Sequence, residues 1–265
     1  MDPAAVKERQ REIWGLGDYS YISRVLRPAA VALCDACAVS AGQEVLDVAA
    51  GDGNFALACA REGARVVASD IAPAMIERGR ARSEAEWFPI EWVEADAEEL
   101  PFDDASFDCV GSVFGAMLAP RPVVMSRELF RVVRPGGTVG MTAWTPGSFA
   151  AEQFAIGRKY APSQPDQPLA EEWGHEQTVR ERFDGLAARV ELEKHTLPLE
   201  AETLSGFVAE TRASTGSWEA ARRNLPPERF EAMEREFVDL VRRRGGRGPV
   251  RIDNEYVVIV ARRRG

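Results

Sequence analysis

Two glycines and three carboxylates stand where this chain could do chemistry. The apolar run Glu44-Val45-Leu46-Asp47-Val48-Ala49-Ala50 ends in Gly51-Asp52-Gly53-Asn54, which reads as a strand followed by a sharp turn. Gly51 and Gly53 allow the backbone to turn and to approach a ligand without a Cβ clash. A second apolar run, Arg65-Val66-Val67-Ala68-Ser69, ends in Asp70. A carboxylate there can accept hydrogen bonds from both hydroxyls of an adenosine ribose. It can equally cap the helix that opens at Pro73, and the two roles are compatible.

The ligand class follows from the surroundings of the turn. Gly51-x-Gly53-x-x-Ala56 also fits the degenerate dinucleotide-binding fingerprint. A pyrophosphate, however, needs a free helix N-terminus, and here Asp47 and Asp52 flank it. The chain has three lysines, Lys7, Lys159 and Lys194, none in a Tyr-x-x-x-Lys pair. A cationic, phosphate-free adenosine ligand, S-adenosylmethionine (SAM), fits better, with a nicotinamide-dependent oxidoreductase as the alternative.

The elements that must hold these residues alternate along the chain. Strands are expected at 44–50, 65–70, 90–94, 107–113 and 137–144, with helices at 21–39, 54–62, 73–83 and 122–133. Continuous apolar strands alternating with helices predict a parallel sheet covered on both faces. Beyond Trp144 the rhythm changes. Residues Pro146–Arg182 contain no clear strand and read as a cap. Strands at 190–199 and 252–263 and helices at 202–211 and 228–244 complete an α/β, Rossmann-like, doubly wound sheet. It should have seven mostly parallel strands, an antiparallel last strand and a helical cap insertion. Four segments are expected: a helical lid (1–40), a ligand-binding core (41–145), a cap (146–185) and a completing segment (186–265).

Composition narrows the partners. The 265 residues carry 33 Lys+Arg against 42 Asp+Glu, a net charge of −9, with a pI of about 5.0. Duplex nucleic acid and anionic membranes both require a basic face, so neither is expected as a partner. The cluster Arg242-Arg243-Arg244 with Arg247 and Arg251 reads as a solvated helix C-terminus. No apolar run reaches the roughly 18 residues of a spanning helix, and Met1-Asp2-Pro3 does not open a signal peptide. Cys34, Cys37, Cys59 and Cys109 form neither a disulfide framework nor a zinc-ligand set, and a reducing cytoplasm is the expected compartment.

With these residues placed, the chain resembles a class I SAM-dependent methyltransferase, of the group related to ubiquinone/menaquinone-biosynthesis methyltransferases. Four stretches carry the resemblance. Val45–Asn54 resembles the first motif, Asp70-Ile71-Ala72-Pro73-Ala74-Met75 the acidic ribose loop, and Glu94–Phe102 with Ser106-Phe107-Asp108 the adenine loop and fourth strand. Arg131–Gly137 resembles the turn into the fifth strand. The first glycine of the usual motif is here Ala49.

The resemblance implies that Asp47, Ala49, Gly51 and Gly53 line the methionine moiety, and that Asp70, Ile71 and Met75 line the ribose and adenine edge. It places Asp96 at the adenine amino group, Ala97 beside the ring, and Ser112, Val113 and Phe114 toward the reacting methyl. The apolar loop Phe114–Leu118 lacks both an Asn/Asp-Pro-Pro-Tyr motif and a carboxylate. That points to a small, partly hydrophobic acceptor, a secondary metabolite or quinone-like compound, and to metal-independent transfer by proximity and desolvation. Candidate bases are His175, Tyr19 and Tyr21. The aromatic, glycine-rich stretch Trp14–Tyr21 is expected to fold over the ligand, with Tyr19 or Arg24 near the methionine carboxylate. The motifs also admit a protein that binds SAM without transferring its methyl group. The sequence carries no reading of the oligomeric state.

Overall fold

The computed structural model describes residues 3–160, 168–246 and 248–265; residues 161–167 of the expected cap and Arg247 of the basic cluster lie outside them. Two helices, α1 (Pro3–Trp14) and α2 (Ser20–Ala36), precede β1 (Glu44–Val48), α3 (Asn54–Arg61), β2 (Arg65–Asp70), α4 (Pro73–Ala85) and β3 (Glu91–Glu94). Then come β4 (Phe107–Val113), α5 (Pro122–Val132) and β5 (Val133–Trp144). The remainder supplies α6 (Phe149–Tyr160), α7 (Glu176–Arg182), β6 (Ala187–Ala201), α8 (Leu204–Ser214), α9 (Gly216–Asn224), α10 (Pro227–Gly245) and β7 (Val250–Arg263).

The strands form one sheet in the order β3-β2-β1-β4-β5-β7-β6. Adjacent strands from β3 to β5 pair in parallel, while β7 runs antiparallel to both β5 and β6. This is the doubly wound arrangement expected from the alternating runs, with its antiparallel last strand. Val45, Leu46, Val48, Val110, Val139 and Met141 on the inner strands are completely buried, as strands covered on both faces require. The edge strand β6 instead alternates, with Glu191, Glu193 and Lys194 exposed, and charged side chains protect an edge from pairing with another chain.

Strand order reverses between β1 and β4, and ligands of open α/β sheets bind beyond the carboxyl ends at such a point. Helices from both halves of the chain meet there. Helix α1 packs on α4 and α9, and α10 packs on α6, α8 and α9. Helix α1 falls within the helical lid expected over 1–40 without having been delimited there, and α9 has no counterpart in the sequence expectation. Helix α1 buries Val6 alone, so it lacks the apolar stripe by which a helix is read from sequence.

The basic cluster behaves as a helix C-terminus. Arg243 and Arg244 both pair with Glu152 of α6. All four cysteines are free and buried, and no helix among the described residues is long and apolar enough to cross a membrane.

Candidate ligand-binding site

The glycine turn after β1 is built from backbone that only small residues adopt easily. Ala49, Gly51 and Gly53 all have positive φ, at 51°, 57° and 88°. A Cβ on Gly53 would stand 2.7 Å from the Trp92 ring, and one on Gly115, in the loop after β4, would meet the Ala49 carbonyl at 2.2 Å. The two strand-end loops are thus pressed together, and Phe114 beside Gly115 is also left-handed (φ 56°). Its ring stacks on Trp144 at 3.8 Å, nearly parallel, which holds the strained backbone in place. Non-glycine residues in this region cost about 1 kcal/mol or more and cluster at functional sites. Ala49→Gly is therefore expected to stabilise the protein by about 1 kcal/mol, read as a higher urea midpoint; an unchanged or lower midpoint would contradict strain at Ala49.

Asp70 ties the turn down. One carboxylate oxygen accepts the Gly51 N–H at 2.8 Å and the other the Ala72 N–H at 2.9 Å. Ala72 is the N-cap residue of α4, so Asp70 stabilises the helix start from two residues upstream. Burial raises the Asp70 pKa, against the lowering effect of these N–H groups. Asp47 is 1% exposed, and its Oδ2 accepts the Ala56 N–H of α3 at 2.9 Å, while its Oδ1 has no partner. Burial drives the Asp47 pKa well above the usual carboxylate range, and the Asp70 and Asp52 charges add to this. Asp52 pairs with Arg82 at 3.2 Å, a side chain also held by Ser23 and Asn54.

These elements line a cleft at the switch point, where open α/β sheets bind their ligands. Of the residues expected from sequence, Ala49, Gly51, Asp70, Ile71, Met75, Asp96, Ala97, Val113, Phe114 and Tyr19 line it. Asp47 and Gly53 lie beneath the turn rather than on its surface. Ser112 is buried and its hydroxyl accepts the Ala116 N–H at 2.8 Å, so it shapes the loop.

Tyr21 and Arg24 stand apart from the cleft, with the exposed guanidinium 5.9 Å over the Tyr21 ring. His175 is exposed at the start of α7 and does not reach the cleft. Tyr19 does reach it, half-buried, with its ring edge-on to Trp14 at 6.2 Å. Burial and the Asp52 and Asp70 carboxylates push its phenol far above its ordinary pKa. It is therefore a hydrogen-bond donor at neutral pH, unsuited to act as a base.

Three lining residues come from α1: Lys7, Gln10 and Trp14. Their i, i+3, i+7 spacing puts them on one helical face; Trp14 opens the stretch expected to fold over the ligand, whereas this spacing is the only signal the sequence held for Lys7 and Gln10. Lys7 meets Asp96 and Glu98, each at 2.5 Å, and Glu98 also takes the Arg121 backbone and side-chain N–H groups. Burial opposes the charge on Lys7, yet the two carboxylates hold its pKa above the ordinary value. Asp96, expected at an adenine amino group, is thus paired to α1. The Gln10 side chain donates to the Leu118 carbonyl at 2.8 Å and Arg11 to that of Ile71 at 3.1 Å, which fixes α1 over both strand-end loops.

The charge pattern discriminates between ligands. Lining the cleft, Lys7 is set against Asp52, Asp70 and Asp96; Lys7 pairs with Asp96 and Arg82 with Asp52, and Asp70 has no cationic partner among the described residues. The Ala56 N–H at the start of α3, which a pyrophosphate would use, is occupied by Asp47. The unpartnered Asp47 Oδ1 beneath an acidic cleft suits a cation. Among the described residues, no group of three or more His, Cys, Asp or Glu side chains is placed to hold a metal ion.

Known proteins show the same arrangement. Residues 46–141 match the family described as a methyltransferase domain. An uncharacterized protein of Mycobacterium tuberculosis is 40% identical over 171 residues, which are 64% of this chain and 62% of that protein. The match thus spans less than two thirds of that relative's length. A demethylmenaquinone methyltransferase of Clavibacter sepedonicus is 45% identical over 109 residues, 41% of this chain and 44% of that enzyme. The crystal structure of the YcgJ protein from Bacillus subtilis superposes with a TM-score of 0.63 at 19% identity, covering 89% of this chain and 99% of that one; it shares the fold. The glycine turn, the acid after β2 and the sheet order agree with these matches: residues 46–141 are similar to a methyltransferase domain, on a sheet of the same fold as the superposed structure.

Proposed function

We propose that this protein binds SAM in the cleft at the β1/β4 switch point and transfers its methyl group to a small-molecule acceptor without a metal ion. The observation that carries the reading is the buried Asp47 Oδ1, left without a partner beneath an acidic, left-handed turn. When bound, SAM supplies an electrophilic methyl group on a sulfonium. Asp47 would stabilise the cationic methionine end through the turn, and Asp70 retains lone pairs for the ribose hydroxyls. Asp96 and Ala97 would border the adenine, with Lys7 beside them. Tyr19 would donate its phenolic proton to the methionine carboxylate, a role for which Arg24 is too remote. Val113 and Phe114 would face the reacting methyl.

Catalysis in this reading comes from holding donor and acceptor in contact away from water, with Trp14 and Tyr19 as the cover. A base within the protein is not assigned, because Tyr19 stays protonated and His175 and Tyr21 stand outside the cleft. The segments would divide the labour: 1–40 as lid, 41–145 as cofactor core, 146–185 as cap and 186–265 as completion of the sheet. The four free thiols suit a reducing cytoplasm.

Calorimetric titration with SAM and with NAD tests the cofactor, and release of S-adenosylhomocysteine over a compound panel tests the transfer. SAM should bind and NAD should not; the reverse would establish the oxidoreductase alternative. SAM binding with no S-adenosylhomocysteine released from any compound would favour binding without transfer. Turnover is expected to be unchanged in EDTA, and a chelator-sensitive activity restored by magnesium would refute the metal-free reading.

A further inference from the structure

A second cleft, roomier than the first, opens on the other side of α1. Gln10, Trp14 and Leu118 line both clefts, so these residues form the wall between them and mark where they meet. Helix geometry explains the division. Lys7, Gln10 and Trp14 follow one face of α1, whereas Val6, Arg9 and Ile13 follow a face about 100° away.

The lining of the second cleft is largely apolar, with Phe154 and Ile156 from α6 and Trp218 from α9. Its charged residues are unusual for this protein. The chain has 42 acidic residues and a net charge of −9, yet no carboxylate lines this cleft among the described residues, while two arginines do. Arg158 is satisfied by both oxygens of Glu171, at 2.5 and 3.2 Å. Arg9 forms no ion pair among the described residues and is exposed. An apolar chamber with one uncompensated guanidinium and no acid repels a cationic amine and suits an apolar anion.

We infer that the second cleft is the acceptor site and takes an apolar molecule bearing a carboxylate, with the carboxylate at Arg9 and the methylated atom at the Gln10–Trp14–Leu118 passage. This rests on the cofactor reading above, since the neighbouring cleft receives a methyl group only if the first holds the donor. Arg9 lies on the face of α1 turned away from the first cleft, so the carboxylate is an anchor and not the methylated atom. The large chamber leaves room for an apolar skeleton between the two.

The test uses three probes of one shape and different charge on the full chain: 1-naphthoate, 1-naphthylmethanol and 1-naphthylmethylamine. Binding is followed by fluorescence of Trp14 and Trp218 in the wall and checked by calorimetry. The expected order of affinity is anion, neutral, cation. Arg9→Glu should weaken naphthoate at least tenfold and strengthen the amine. Gly157→Phe fills the cleft: a Cβ at Gly157, on α6, meets nothing within 4 Å, so the ring has space to enter, and all three probes should be lost.

S-adenosylhomocysteine titrated in parallel should bind the wild type and Arg9→Glu alike. Its binding together with charge-blind probes, or with a probe order unchanged in Arg9→Glu, would overturn the acceptor assignment alone. Failure of S-adenosylhomocysteine to bind a wild type that still prefers naphthoate would overturn the cofactor reading and, with it, the role of the second cleft. Arg9 is exposed and its substitution leaves the core untouched, so the charge test stands whether or not Gly157→Phe folds.

Discussion

Asp70→Ala is expected to weaken SAM binding more than tenfold and also to lower the stability of the protein. The second effect comes from what the carboxylate does in the free protein. Its two oxygens accept the Gly51 and Ala72 N–H groups, one in the glycine turn and one at the start of α4. Truncation leaves both donors without their partner in a site that is 6% exposed. A buried group that loses its hydrogen-bond partner costs about 1–3 kcal/mol. Burial of the charge, which raises the Asp70 pKa, offsets part of that, so a net loss of about 1–2 kcal/mol is expected.

Asp70→Asn separates the two roles. Its amide oxygen can still accept one N–H, so stability should lie between wild type and Asp70→Ala, while a neutral amide remains a poor substitute for a carboxylate at two ribose hydroxyls. Urea unfolding and calorimetric titration with SAM give the two readouts. A folded Asp70→Ala protein with wild-type affinity would remove Asp70 from the ribose site.

The residues read from sequence and those seen only in the structure differ in how they are positioned. Gly51, Asp70, Met75, Ala97, Val113 and Phe114 stand at or just beyond the ends of β1–β4. In a parallel sheet those ends gather at one edge, so a linear motif already fixes their neighbourhood. Lys7 and Gln10 arrive through a tertiary contact of a helix with a single buried residue, Val6, and no local periodicity announces such a contact. The direction of individual side chains was equally hidden. Ser112 is adjacent to Val113, yet strand alternation turns it inward to the Ala116 N–H. Arg24, five residues past Tyr19, is turned well round α2 from it and sits over Tyr21. Asp96 lines the cleft, and its pairing with Lys7 depends on where α1 docks. Ala49 shows the converse: the substitution is visible in sequence, and its left-handed backbone explains why glycine is usual there.

Asp47→Asn is expected to make the free protein more stable and SAM binding at least tenfold weaker. The carboxylate is buried, one oxygen is unpartnered, and its pKa is held well above the usual range by burial and by Asp70 and Asp52. A carboxylate with a raised folded-state pKa favours the folded state fully only below its unfolded value, about 3.9, and that stabilisation is lost as pH rises through the folded value. Above that unfolded value the buried carboxyl therefore works against the free protein. Asparagine keeps an oxygen for the Ala56 N–H and removes the charge, at the cost of an amide NH2 group whose two N–H donors are unpaired. The balance should favour the variant by about 1 kcal/mol, which for a chain of this size is a shift of roughly 2–4 °C in Tm. The gain should grow as pH is raised from about 4 and vanish in acid, which thermal unfolding across a pH series will read. Saturating SAM should reverse the order, because a ligand stabilises in proportion to the logarithm of its concentration over Kd, and only the carboxylate compensates a cation. A variant with the wild-type pH profile would show that Asp47 carries no buried charge. One that binds SAM as tightly as wild type would show that the charge is not there for the cofactor.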